Sequence, residues 1–306
     1  MKNHFKVYLS LIFIPILVSL SWIIGGDLVK VMPTVTLTIA RIAFSTVTLL
    51  IMLFLFNRKD LTNLQNRIIK LDWWKGQLIL TLTGRVLYFI LSTHALKSIS
   101  PLQAILFNGL LPIFGLFLAR ISGQKFKNKL IPFFSFLTSL SAIAAIFNIF
   151  SGSWILNLGI IEMFFAVFFF SLHISLYKKY VSSKSATETL FSQFLLCFLI
   201  LLPFDFDFIN PLFQITIHDL IKFLIYSIVC NLAPFFLLHY TLKYIKPINI
   251  QLVCTLAPIF GLFFNFLYQK SQISNLFIYL TLLTVALISI TIFLDFQSTK
   301  GSTNAS

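Results

Sequence analysis

Charge is scarce in this sequence. Only 10% of its 306 residues are Asp, Glu, Lys or Arg, and 58% are hydrophobic. A soluble domain carries about 25% charged residues. A chain this apolar could not cover its own surface in water, so a lipid bilayer is the expected solvent. Acid is scarcer than base, 9 residues against 23, which leaves a formal charge of +14. Such an excess can mark a nucleic-acid binder. Here, however, Lys and Arg fall in short loops between apolar runs rather than along one face, so no nucleic-acid partner is expected.

Cysteine is also sparse. Cys197, Cys230 and Cys254 lie inside apolar segments without metal-like spacing, and they read as free thiols packed as small apolar groups. No HExxH, GxSxG or Walker-type loop occurs, no span holds a paired-carboxylate motif, and the loops are too short for a soluble catalytic domain. The expectation is therefore no enzyme, no catalytic residue, no metal, no cofactor and no direct use of ATP. With no Gly/Ser linker or low-complexity segment, composition marks a single domain.

What the chain does have is long apolar runs. A helix needs about 20 apolar residues to cross the hydrocarbon core. Ten runs qualify: 7–29, 34–56, 76–94, 100–119, 131–150, 157–177, 186–204, 220–239, 247–267 and 274–295. Pro33, Pro101 and Pro247 stand at helix starts, where a missing N–H costs little. The first run lacks a small-residue cleavage pattern and reads as an uncleaved helix. With the N-terminus in the cytoplasm, 17 Lys and Arg fall in inner segments. Only Lys30, Lys97, Lys222 and Lys270 fall in outer ones, and Arg41 and Arg85 lie within spans. Trp73 and Trp74 mark an inner aromatic belt and Trp154 an outer one. The expected location is a cell membrane, such as a bacterial inner membrane, crossed many times, with both termini cytoplasmic.

The sequence also repeats itself at an offset of 146. His94–Phe117 aligns without gaps on Tyr240–Phe263, and twelve of 24 positions are identical, including the block PIFGLF. The match pairs spans 3 and 4 with spans 8 and 9, so each repeat holds five helices. Five is odd, and the second repeat therefore enters the membrane from the opposite side. The fold class is all-α integral membrane, ten transmembrane helices as two inverted five-helix repeats, 1–150 and 151–306, the second ending in a short cytoplasmic tail. Inverted repeats suit alternating-access carriers, with a site near the midplane between the repeats. A channel would instead call for rings of like residues about an oligomer axis.

Pro112 and Pro258 fall at matching places within spans 4 and 9. Each frees the carbonyl four residues back, on Asn108 and Cys254, and each is followed at i+3 by Gly115 or Gly261. These four residues are candidate hinges, although Pro and Gly are also common as tolerated kinks in membrane helices.

The chain resembles the EamA-type carriers of the drug/metabolite transporter superfamily over nearly its whole length. The resemblance rests on Trp22, Gly25 and Gly26 late in span 1, Pro33 and Ala40-Arg41 in span 2, and Ala95-Leu96-Lys97 after span 3. It continues through Pro112 leading to Gly123-Gln124-Lys125, Gly159, Leu242-Lys243 and Pro258. It implies ten helices, both ends inside, and a cavity lined by helices 1, 3, 4, 6, 8 and 9. Gln124 and Gln269 stand where the family often has acids. The range of substrates in the family leaves the cargo open.

Ionisable groups within spans cost at least ~2.5–3.5 kcal/mol on insertion scales. Arg85, in the middle of span 3, is the leading candidate for binding an anionic substrate group, with a structural ion pair or carbonyl capping as the alternative. Its repeat mate is Asn231. Trp22 and Tyr88 could stack on a planar substrate, and Asn108 and Asn231 lie on helices that should line the cavity. Arg41 reads as structural. Glu162 reads as interfacial, Arg-paired or proton-carrying, and Asp27 as interfacial. His173, Gln193, Gln251 and Asn265 read as helix–helix hydrogen bonds. His94 and His239, near helix ends, could titrate. The expected function is secondary transport of a small organic metabolite, an amino acid or related compound, in either direction. Uptake or exchange of a nucleotide-like metabolite such as S-adenosylmethionine is the alternative. The expected partners are the substrate and the bilayer, with a homodimer as the open option for assembly.

Overall fold

The structure is a computed structural model that describes residues 2–68, 71–122, 129–149, 157–181, 185–269 and 275–303. Among these residues there is no strand. In chain order the helices are α1 (Lys2–Leu28), α2 (Thr34–Phe56), α3 (Arg58–Ile68), α4 (Trp73–Ala95), α5 (Pro101–Ile121), α6 (Leu130–Ile149) and α7 (Leu158–Val181). They continue with α8 (Ala186–Phe204), the short α9 (Asn210–Gln214), α10 (Ile217–Leu242), α11 (Pro247–Leu267) and α12 (Asn275–Thr303). Eight of these, α1, α2, α4, α5, α7, α8, α10 and α11, are long and apolar enough to cross a membrane. In α6 and α12 the apolar stretches are shorter, Leu130–Ser141 and Ile278–Thr291.

The surface is arranged for lipid. Phe54, Phe56, Phe117, Phe133 and Phe213 stand exposed, whereas Arg41, Arg85, Asn108, His173, Gln193 and His239 are buried. In a bilayer the usual soluble pattern has no reason to hold, because polar groups gain by meeting each other inside the bundle.

The two halves pack reciprocally. Helix α4 lies on α7 as α10 lies on α1, and α5 lies on α7 as α11 lies on α1. The pairs α2 with α8, α5 with α11 and α6 with α12 each join a helix to its own counterpart. The α5–α11 crossing fixes the direction. A Cβ on Gly115 would meet Gln251 Oε1 and Ile248, and a Cβ on Gly261 would meet Ile105. Residues 105 and 251 are mates at the 146 offset, as are 115 and 261. The two helices therefore run antiparallel, each glycine admitting the side chain that stands ten residues before its own mate.

Helical regularity fails at matching places. Helix α5 opens on a Ser100/Gln103 capping box with Pro101 at its first position, then tightens into a 3-10 turn at Phe107–Leu110 ahead of Pro112. Helix α11 breaks at Thr255–Leu256 ahead of Pro258, where Leu256 N–H donates to Val253 O at 3.0 Å, one residue short of the α pattern. Missing proline N–H groups explain both. Helices α4 and α10 each carry a π-helical stretch, Leu82–Leu87 and Ile225–Leu232.

Some expectations change. Arg58–Ile68, read as a loop, is an amphipathic helix. Trp73 is buried beneath Arg67, its ring 5.8 Å from the guanidinium, rather than standing in an interfacial belt. Trp154, Lys125, Gly123, Gln124 and the boundary at 150/151 lie outside the described residues, as does the side chain of Gln269.

Candidate functional site

A cavity lies inside the bundle between the halves. From the first half come Val18, Ser21 and Trp22 of α1, Arg41 of α2, and Tyr88, Phe89 and Ser92 of α4. From the second come Phe170 of α7 and Tyr226, Asn231, Pro234, Phe235 and Leu238 of α10. Its free volume is about 30 Å³, room for a water molecule or two and too little for a metabolite. A larger hollow of about 530 Å³ lies between α2, α8 and α9, lined by Phe44, Val47, Phe198 and Phe213. Its lining is almost wholly apolar, so it lacks the polar groups that fix a substrate.

Of the residues expected at the site, Trp22, Tyr88 and Asn231 stand together in the cavity wall. Trp22 meets Tyr88 edge to face at 6.5 Å, and Tyr88 stacks on Phe170 at 4.8 Å. Asn231 donates to Ser45 Oγ at 3.0 Å, and Ser45 donates to the Ser227 carbonyl at 2.8 Å, which ties α10 to α2. Asn108 is apart from this wall, buried in the 3-10 turn of α5 with its Nδ2 unpartnered. Gly115 and Gly261 are at the α5–α11 crossing.

Arg85 lies behind the wall, fully buried. Its Nη1 donates to the Gly84 carbonyl at 2.9 Å and its Nη2 faces His239 Nε2 at 3.4 Å. The guanidinium stacks 3.7 Å above Phe235 and 4.9 Å from Phe194. His239 Nε2 is 3.3 Å from His173 Nε2, and His173 Nδ1 is 3.1 Å from the Leu80 carbonyl. Gly84 makes this possible, because a Cβ there would sit 2.2 Å from His173 Nδ1. His239, in the last turn of α10 as expected, is thus a fully buried partner of Arg85.

The cation in the cavity wall is Arg41. It donates to the Tyr226 hydroxyl, to Thr93 Oγ1 at 2.9 Å and, at 3.5 Å, to the Phe89 carbonyl, and it lies 4.1 Å above the Phe89 ring. Gly25 of α1 packs against the Tyr226 ring, holding it on Arg41. Sequence reading missed Tyr226, which is one aromatic in an apolar run. Neither arginine meets a carboxylate among the described residues. Cation–π contacts, hydroxyls and carbonyls hold them instead. Both guanidinium carbons lie near the Phe89 ring, at 4.1 and 6.0 Å. They are therefore at most about 10 Å apart and repel by roughly 1.5–2 kcal/mol or more at an effective dielectric of about 20. Such a site gains by taking in negative charge.

Polar latches join the halves at both ends. At one end His94 pairs with Glu162 at 2.8 Å, Asp27 with Lys222 at 3.0 Å, and Thr36 donates to Asp205 at 2.5 Å. At the other, Arg67 of α3 pairs with Glu188 at 2.9 Å and Ser185 donates to Asp60. Glu162 thus pairs with a histidine instead of an arginine. Elsewhere Gln193 donates to Gln77 at 3.3 Å and Gln251 to Ser171 Oγ at 3.0 Å, as helix–helix bonds.

A bundle of apolar membrane-crossing helices, built from two reciprocally packed halves around a cavity with Arg41 in its wall and Arg85 behind it, is the build of a membrane transporter. The sequence profile of the EamA-like transporter family matches twice, at residues 5–151 and 157–294, so the chain belongs to that family, within the drug/metabolite transporter superfamily. No curated protein sequence matches it. Among solved structures 28 chains match. One crystal structure shares the fold at a TM-score of 0.69 and 13% identity, over 93% of this chain and 96% of that one.

Proposed function

We propose that this transporter is a secondary carrier of small organic metabolites of the amino-acid type, working by alternating access. The observation that carries the reading is the buried cavity walled by both halves, with Trp22, Tyr88, Arg41 and Asn231 around it. The latches at both ends are where the cavity would open. In this reading α6 and α12, of 20 and 29 residues, complete ten spans, since about 20 residues suffice to cross. The pseudo-twofold lies in the membrane plane, as the antiparallel α5–α11 crossing supports. The loop charge puts both termini in the cytoplasm and the His94 latch outside, in the inner membrane of a bacterium. Arg85 supplies positive potential for a carboxylate from behind the wall.

The test is counterflow in proteoliposomes with a panel of labelled amino acids and nucleotide-like metabolites. Saturable exchange of an amino-acid class is the expected result. Exchange confined to S-adenosylmethionine-like compounds would replace the cargo, and flux that never saturates would replace the carrier by a channel.

A further inference from the structure

The two buried arginines rest in matching seats. Arg41 lies on Phe89 and bonds to Thr93, whereas Arg85 lies on Phe235 and faces His239. At the 146 offset Phe89 becomes Phe235, and Thr93 becomes His239. The same two positions of the duplicated helix, one turn apart, therefore seat a guanidinium in each half. The guanidiniums come from different helices, α2 and α4, so it is the seat that is duplicated and not its occupant.

The Phe89 and Phe235 rings touch, with centroids 5.5 Å apart and planes near perpendicular. Mate side chains can touch only close to the axis that relates the halves, so this pair marks the middle of the bundle. Because the halves are inverted, the turn from Phe89 to Thr93 leads toward the His94 latch, and the turn from Phe235 to His239 leads toward the Arg67 latch. Each guanidinium also keeps its Nε buried without a hydrogen-bond partner.

We propose that Arg41 and Arg85 are two anion-binding stations of one permeation route, on opposite sides of the Phe89/Phe235 layer, which receive a solute carboxylate in turn. The two-sided route rests on the carrier reading, whereas carboxylate binding at the two arginines does not. Arg41 is on the cavity wall now and is the station served from the His94 end. Arg85 is shut behind the phenylalanines and is the station served from the Arg67 end. A carboxylate at either would take up donors that protein hydroxyls, carbonyls and ring faces now only partly occupy.

Two measurements test this. First, the full chain in detergent is melted with benzoate or with neutral benzamide at equal ionic strength. Benzoate is expected to raise the apparent Tm and benzamide to leave it unchanged. Arg41→Gln and Arg85→Gln should each weaken the benzoate effect at least about ten-fold in half-saturating concentration, and Arg41→Lys and Arg85→Lys should keep it. Equal shifts from both compounds, or unaltered benzoate response in the Gln variants, would overturn the proposal. So would a loss that the Lys variants share. Second, in proteoliposomes of fixed orientation, the fastest-exchanging amino acid is titrated from each face. Arg41→Gln is expected to raise half-saturation at the His94 face and Arg85→Gln at the opposite face. Equal effects at one face would overturn the two-sided arrangement. If no amino acid exchanges while benzoate still binds through both arginines, the carrier reading fails and the two anion sites stand.

Discussion

In α4 the order Gly84, Arg85, Phe89, Thr93 and in α10 the order Cys230, Asn231, Phe235, His239 occupy equivalent places in the two halves. The backbone treats them alike, with a π-helical stretch in each. The side chains do not. Glycine in the first half lets the His173 ring lie against the helix, and the equivalent Cys230 fills a place in the cavity wall. Arg85 brings a charge where Asn231 brings an amide that ties α10 to α2. Duplication thus supplied a common frame, and divergence placed charge on one side of it. Of these four pairs only the phenylalanines stayed the same.

Phe89→Ala and Phe235→Ala should each destabilise the bundle by about 3–5 kcal/mol, because each removes a buried ring and the seat of a cation. Unfolding by SDS titration would check it, and a large loss in only one variant would show the seats to be unequal. Gly84→Ala should cost about 1–3 kcal/mol, since the added carbon would overlap the His173 ring. Cys230→Ala, at the mate, leaves a small gap worth about 1 kcal/mol or less in the same assay.

The two ends differ in the same graded way. Arg67→Ala removes the cation that donates to both oxygens of the buried Glu188 carboxylate and should cost about 1–3 kcal/mol. At the other end, His94→Ala removes a side chain that is itself 39% exposed and should cost under about 1 kcal/mol, with a salt-sensitive effect. The smallest stability change is expected from Pro112→Ala and Pro258→Ala, below about 1 kcal/mol. If the matched breaks are hinges, both variants slow counterflow equally while leaving half-saturation unchanged. A slower rate in only one would assign the bending to that helix.

Most of the helical frame was legible in sequence because a bilayer demands about 20 apolar residues per crossing. The duplication was legible because PIFGLF and its prolines survived in register. Helix α3 was not, since its polar sequence carries a helical period but no apolar run. Arg85 stood out as a charge deep in a span, yet helix rotation decides whether a side chain faces a cavity, and rotation is set by the packing of α7, α8 and α10. Arg41 reads as structural because the family resemblance carries an arginine there, and its aromatic partner Tyr226, 185 residues away, leaves no local mark in the sequence. The seat at His239 could have been found by carrying the 146 offset a few residues upstream of His94, to Phe89 and Thr93.

The α5–α11 crossing has an energetic consequence. If a carrier of this build changes access by letting each half take up the other's conformation, a strictly symmetric protein would have two states of equal free energy. Here one glycine faces the amide of Gln251 and its mate faces the hydrocarbon of Ile105. Exchanging the halves would swap an amide bonded to Ser171 for a side chain that cannot form that bond. Under that exchange the crossing would act as a weight on one arm of a balance, giving the protein a preferred resting side before any solute arrives.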